Sequence, residues 1–368
     1  MSADHVATRV ETIVVGGGQA GLAASYFLTK HGREHLVLER GRVGETWRSQ
    51  RWNAFVLNTP NWAQRLPGFE YRGTDPDAFA PLAEVIEHLE TYARSFEAPV
   101  REQVNVKALR AGDGHYVVET TAELLLVDNV IVATGAFQQP TPPPVGAVKA
   151  SGVFQLTTSG YRRPEQLPDG AVLVVGRPVG MPDRRRVAEC RPGGLPRCRP
   201  VSLVPATVSG VRDRRLGDRH RAHGSDSRHA SVTCGRLACN PPVSGNDGGH
   251  DCHPRWLAKR GAVLVGRVSG IDGSTIGFEP GIEQNLAAGD QFVSDLQLRI
   301  DAFIAAEGVV VPDAEPADPV PEIADTPELD LRRAGITTIL WATGFRPDYS
   351  WIELPFTDEW GGRSRPGV

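Results

Sequence analysis

Gly16, Gly18 and Gly21 stand in the pattern G-x-G-x-x-G, and an acid, Glu39, follows Gly18 by twenty-one residues. Glycines at this spacing suit the phosphates of a dinucleotide. The first permits a tight turn, the second lets the backbone approach a pyrophosphate, and the third lets a helix pack against its strand. A helix beginning at Gln19 and Ala20 would turn free N–H groups and a positive dipole end toward those phosphates. The Glu39 carboxylate could then accept hydrogen bonds from ribose hydroxyls. Three glycines alone are a weak signal, and their order among other elements makes it specific. The β-branched run Thr12–Val15 reads as a buried parallel strand. After the glycines come Leu22, Tyr26, Phe27 and Leu28 on a helix, then a second strand over His35–Leu38 that ends at Glu39.

Two further strands end in small residues that let the backbone come close to a cofactor. Val130–Val132 runs into Ala133-Thr134-Gly135, and Ile339–Trp341 runs into Ala342-Thr343-Gly344. A third strand, Ala171–Val175, runs into Gly176 and reads as the start of a second dinucleotide motif. Gly44-Glu45-Thr46-Trp47-Arg48 lies close behind the Glu39-Arg40 pair. Asn58, in Leu57-Asn58-Thr59-Pro60, is open to two readings: a catalytic or cofactor-orienting amide, or a loop Asn that satisfies its own turn.

Together these motifs resemble the class B flavin monooxygenases, the flavin-containing monooxygenase-like group, over about 1–175 and 241–360. The resemblance implies an α/β fold, a Rossmann-like flavoprotein with two dinucleotide-binding domains, the second of them disrupted here. It implies FAD and NADPH as cofactors and O₂ and a small organic molecule as reactants. The implied reaction is oxygenation through a peroxyflavin. Gly16, Gly18, Gln19, Ala20, Gly21, Glu39 and Arg40 would hold the FAD adenosine and pyrophosphate. Trp47 would lie near the flavin, and Val104, on a strand over Val104-Asn105-Val106, would meet the adenine through its backbone. Ala133, Thr134, Gly135, Gly176, Thr343 and Gly344 complete the expected cofactor contacts. In the stretch that matches the family's Phe-, Gly- and His-containing fingerprint, Phe154 and Tyr161 stand, but Thr157 occupies the place of the His.

The expected second motif breaks off after Gly176. Pro178 removes a backbone N–H where phosphate donors are needed, and Pro182 disrupts the helix expected there. From 177 to 240 the chain carries fourteen Arg against five acids, with no Lys, Ile, Phe, Tyr or Trp. That is +9 inside a chain of net charge −4, so the remainder carries −13. A frameshift accounts for this. Read one base later, permitted codons give GQSGCQIADELLSAGR, a glycine motif and an amphipathic helix; the Cys opposite Met181 is forced by the code. Frame returns near Asn240. A nucleic-acid patch is disfavoured because no aromatic residue is interleaved for stacking. All five cysteines (Cys190, Cys198, Cys234, Cys239, Cys252) lie between 190 and 252 at spacings that fit neither a zinc site nor a dithiol reductase.

The expected organisation is a first part of the FAD-binding domain at 1–165 and an NADPH-binding domain at 166–310, with 177–240 aberrant and disordered. A linker at 311–330 and a truncated return segment at 331–368 follow. Helices are expected over Pro81–Phe96 and Glu283–Ala306, a turn at Ala111–Gly114 and a hairpin around Asp272-Gly273. No signal peptide and no apolar run of about 18 residues is visible, so the expectation is a cytoplasmic protein that meets neither membrane nor nucleic acid. Nothing bears on oligomeric state. The competing reading is a degraded, non-catalytic chain that at most binds FAD.

Overall fold

A computed structural model describes residues 8–71, 73–141, 152–176, 201–203, 243–311 and 322–354. The chain divides into two compact units: 1–51, 61–141 and 344–368 form the first, and 52–60 and 142–343 the second.

The first unit is built on a six-stranded sheet. Its strands are β1 (Thr8–Val15), β2 (His35–Leu38), β3 (Val100–Arg101), β4 (Val106–Ala111), β5 (Tyr116–Thr120) and β6 (Leu124–Val132), in the order β3-β2-β1-β6-β5-β4. β1 lies parallel to both neighbours, with Ile13 opposite Leu36 on one side and Val130 on the other. Strands buried on both faces favour a continuous β-branched run, and Ile13, Val14 and Val15 are all buried. Each such side chain contributes roughly 1.5–3 kcal/mol by leaving water.

Helix α1 (Gln19–Lys30) connects β1 to β2. Ser25 and His35 pin the two together: the Ser25 hydroxyl meets His35 Nε2 at 2.8 Å, and His35 Nδ1 meets the Arg33 carbonyl at 3.0 Å. A carbonyl can only accept, so Nδ1 donates to it, and in the neutral ring Nε2 accepts from Ser25. The short helix α2 (Glu45–Gln50) follows β2, and α3 (Leu82–Ser95) packs Val85, Leu89 and Tyr92 inward, one face of the helix expected over 81–96. A ribbon of β7 (Gln139–Pro140) and β18 (Phe345–Arg346) lies in the same unit. Residues 351–353 cover the edge strand β4, with the Leu109 N–H on the Trp351 carbonyl and the Glu353 N–H on the Leu109 carbonyl, both at 2.9 Å.

The second unit holds β8 (Phe154–Thr157), β9 (Ala171–Gly176), β10 (Val201–Leu203), β13 (Val263–Val265) and β17 (Ile336–Ala342) in one parallel sheet, order β13-β10-β9-β17-β8. Two small sheets join it: β11 (Val243–Ser244) with β12 (His250–Asp251), and β14 (Val268–Asp272) with β15 (Thr275–Phe278) and β16 (Glu328–Asp330). Helix α4 (Pro254–Lys259) precedes β13, and the 26-residue α5 (Ile282–Glu307) follows the β14–β15 hairpin.

Four features differ from the expectations. The strand expected to return to the first sheet, β17, pairs with β8 and β9 instead. Its run of buried apolar residues fits a central position in either sheet, so its pattern alone could not choose. Glu328–Asp330, expected in a linker, adds a third strand to the hairpin. Val201–Leu203, inside the stretch expected to be disordered, pairs between β9 and β13; it falls in an apolar run of an otherwise Arg-rich segment. Val104, expected on a strand over 104–106, precedes β4. The remainder of the 177–240 segment lies outside the described residues, together with Pro178, Pro182 and four of the five cysteines.

Candidate dinucleotide cradles

The turn between β1 and α1 is shaped by its glycines. Gly16 has φ +113°, and a Cβ there would stand 2.5 Å from the Ala133 carbonyl oxygen. A Cβ on Gly21 would stand 1.8 Å from the Gly16 carbonyl oxygen, so only glycine lets α1 sit this close to the turn. Gly18 is different. Its φ of −90° suits any residue, and a Cβ there would meet no atom within 4 Å. The first and third glycines therefore answer to the protein's own backbone, while the second borders open space.

Gly18 is the N-cap of α1 and supplies no side-chain cap; the first turn carries no acid. Gln19 and Ala20 are exposed there. A 12-residue helix that starts uncapped presents unsatisfied N–H donors and the positive end of its dipole. That arrangement suits an anion.

Glu39 is buried, with 8% of its surface exposed. One carboxylate oxygen accepts the Gly17 N–H at 2.7 Å and the other the Gly41 N–H at 2.8 Å. Each oxygen keeps a second lone pair, so the carboxylate can still accept from a diol. The Glu39 carbonyl accepts the Val104 N–H at 2.9 Å. Val104 therefore stands beside the acid, and a backbone contact from it to a ligand would use its carbonyl. Arg40 is exposed. The loop behind Glu39 is tied down by the Glu102 carboxylate, which accepts the Val43 N–H at 2.8 Å, and by the Gly44 N–H on the Gly17 carbonyl at 3.2 Å. Sequence reasoning missed Glu102, which no motif marks.

Trp47, on α2, is half-buried. The Arg51 guanidinium lies 5.1 Å from its ring centroid and 5.5 Å from that of Phe137. Burial pushes the Arg51 pKa down. Phe137 follows the Ala133-Thr134-Gly135 loop, and its ring meets Phe345 edge-on at 5.5 Å. Gly135 has φ +71°, the left-handed region.

The second unit repeats the strand that runs into a glycine. β9 ends at Gly176, φ +128°, where a Cβ would stand 2.1 Å from the Ala342 carbonyl oxygen. Gly176 meets Ala342 across the β9–β17 pair, as Val15 meets Val132 across β1–β6. Ala133 and Ala342 are thus equivalent features, the carbonyl of each closing on the glycine beside it in its own unit. Thr343 belongs to the second cradle; Gly344 begins the segment that leads into β18. Asn58 is half-buried in a bend of the segment 52–60. Trp52 and Phe55 of that segment pack in a cluster with Tyr161, Val172 and Leu340 of the second unit. Thr157, at the position of the expected His, pairs its hydroxyl with that of Ser159 at 2.9 Å. Among the described residues no group of His, Cys, Asp and Glu could hold a metal, and no helix is long and apolar enough to cross a membrane.

Residues 13–178 match the model of the pyridine nucleotide-disulphide oxidoreductase family. Over 351 residues the chain is 27% identical to an oxidoreductase designated CzcO-like from Geobacillus kaustophilus, covering 94% of this chain and 83% of that one. A probable indole-3-pyruvate monooxygenase of Arabidopsis thaliana, YUCCA1, is 31% identical over 45% of this chain and 41% of its own length, so that match spans less than half of the plant protein. The fold superposes on a flavin-containing monooxygenase from Stenotrophomonas maltophilia with a TM-score of 0.63 at 19% identity, covering 98% of this chain and 86% of that one. The superposition shows the fold, two Rossmann-like units. Open space over Gly18, an uncapped helix end and a buried carboxylate fit the pyrophosphate and ribose of a dinucleotide.

Proposed function

We propose that this chain is an FAD-dependent, NADPH-linked monooxygenase that oxygenates a small organic substrate. The observation that carries the reading is the first cradle. Gly18 leaves free volume where every other constraint on the turn is tight, and the α1 N-terminus faces it without a cap. A turn serving structure alone would have no need of that space.

When bound, FAD supplies two-electron exchange with a nicotinamide and the activation of O₂. The chain's own residues supply binding and orientation. The N–H groups of Gln19 and Ala20 face the pyrophosphate. Glu39, held on both oxygens by Gly17 and Gly41, accepts from the adenosine ribose, and Val104 borders the adenine. Ala133, Thr134 and Gly135 line the other side of the turn. Trp47 and Phe137 flank the Arg51 guanidinium at this edge of the unit. Gly176 and Thr343 are assigned to the nicotinamide nucleotide. Indole-3-pyruvate, the compound named for the plant relative, is the first substrate to screen.

The test is anaerobic mixing of the FAD-loaded chain with NADPH while following the flavin band near ~450 nm. Bleaching, followed by O₂ uptake on aeration, supports the reading. A stable yellow protein reduces the assignment to an FAD binder, in line with Pro178 removing a backbone N–H where phosphate donors are needed and Pro182 disrupting the expected helix.

A further inference from the structure

We infer that Gln138 is a positioning residue for the FAD site: its amide fixes the Thr134–Gly135 backbone by tying it to the backbone of Asp348. The inference rests on the reading that FAD occupies the first cradle. Gln138 Nε2 donates to the Gly135 carbonyl at 2.8 Å and to the Thr134 hydroxyl at 2.9 Å, and Gln138 Oε1 accepts the Asp348 N–H at 3.1 Å. The orientation of the amide is not arbitrary. A carbonyl only accepts and a backbone N–H only donates, so the nitrogen must face Gly135 and the oxygen Asp348.

The loop needs such a tether. Gly135 has φ +71°, and a Cβ there would meet nothing within 4 Å, so side-chain packing does not hold that backbone. One residue earlier the chain is tight: the Ala133 N–H bonds the Val15 carbonyl at 2.8 Å, and the Ala133 carbonyl closes on Gly16. Between these states the backbone turns from a strand into open space, and Gln138 is the side chain that bonds both residues at the turn. Asp348 is itself anchored. Ser350 donates to its carboxylate from both hydroxyl (2.6 Å) and N–H (3.0 Å), and Gln139 donates to the other oxygen. The 345–348 segment is further held by the β7–β18 pairing and by the Thr141 N–H on the Gly344 carbonyl at 2.9 Å. Gln138 therefore links a loop with little packing to a fixed ribbon. Gln139 braces the same ribbon through Asp348 and Arg346 but bonds neither Thr134 nor Gly135 in the observed network.

This difference supplies the control. FAD is titrated into the full chain and into Gln138→Ala, Gln138→Glu and Gln139→Ala, and the melting of each FAD-free protein is recorded. A lost positioning hydrogen bond weakens binding about tenfold. Gln138→Ala is expected to raise the FAD dissociation constant by that factor while the FAD-free melt stays at the parent value. Gln138→Glu keeps the acceptor for Asp348 but sets a carboxylate against the Gly135 carbonyl, and is expected to weaken FAD as much or more. Gln139→Ala is expected to bind FAD as the parent does. Parent-like binding by both Gln138 variants overturns the inference, as does equal weakening by Gln139→Ala, which would make the effect a general loosening of the ribbon. A parent chain that binds no FAD contradicts the functional reading itself, and the inference falls with it.

Discussion

At Gly21 an added methyl would collide with the Gly16 carbonyl, whereas at Gly18 it would enter empty space. This contrast makes the glycines separable by experiment. Gly21→Ala is expected to destabilise the chain by roughly 1–3 kcal/mol, the usual range for overpacking, seen as a lower melting temperature with or without FAD. Gly18→Ala is expected to melt within about 0.5 kcal/mol of the parent when FAD-free, yet to bind FAD much more weakly, because only the ligand meets the methyl. Equal loss of stability in both would show that Gly18 serves the fold. Glu39→Ala should do both kinds of damage. It strips the acceptor from the Gly17 and Gly41 N–H groups beside a buried position, costing about 1–3 kcal/mol for each group left unsatisfied, and it removes the ribose acceptor. Both losses are read in one pair of melts, with and without FAD.

Among the elements, α5 carries the clearest electrostatic signature. Both oxygens of Asp325 accept the Gly281 N–H, and one also accepts the Ile282 N–H, so its pKa lies below the ordinary 3.8. Glu283, in the first turn, is also held low, first by its hydrogen bond to Arg255. Arg255 is buried, which works against its charge, but its bonds to Glu283 and Asp290 outweigh this and raise its pKa. A carboxylate depressed in the folded state stabilises fully above its unfolded pKa and loses that contribution as pH falls through the folded value. Asp325→Asn is therefore expected to lower the melting temperature at pH 7, and the difference from the parent is expected to shrink as pH falls below the unfolded aspartate value of about 3.9. A difference that does not shrink on acidification would exclude the cap as its cause. This device was not legible in the sequence, because 44 residues separate Asp325 from Gly281. The β1–α1–β2 unit was legible: its strand pattern, glycines and acid all lie within 32 residues of Thr8 and depend on local periodicity. Strand β17 shows the limit. Its composition announced a buried strand, but the choice of sheet depended on which neighbours offered a parallel edge, and no local signal encodes that.

For the whole molecule, the two sheets share one topological motif. β3-β2-β1-β6 in the first unit and β13-β10-β9-β17 in the second place a strand that runs into glycine in the same position, next to a strand that runs into Ala-Thr. The sequence carried both halves of that repeat in its two Ala-Thr-Gly segments, and the first unit retains the full glycine pattern. After Gly176 the second departs from it, and the off-frame reading that restores G-Q-S-G there remains a proposal about the coding sequence. Peptide mass mapping of the purified protein checks it. Fourteen Arg between 177 and 240 predict many short tryptic peptides, against longer ones from the restored frame. The restored form is expected to be reduced by NADPH faster than the present chain, as measured by single-mixing kinetics. Both comparisons depend on the first cradle holding a flavin, and that is the measurement to make. The full chain is incubated with FAD, passed through a desalting column, and its visible spectrum recorded beside that of Gly18→Ala. The account predicts close to one FAD per chain, with a band near ~450 nm, and little or none in the variant. A parent that emerges colourless, or a variant that retains FAD as well as the parent does, would contradict it.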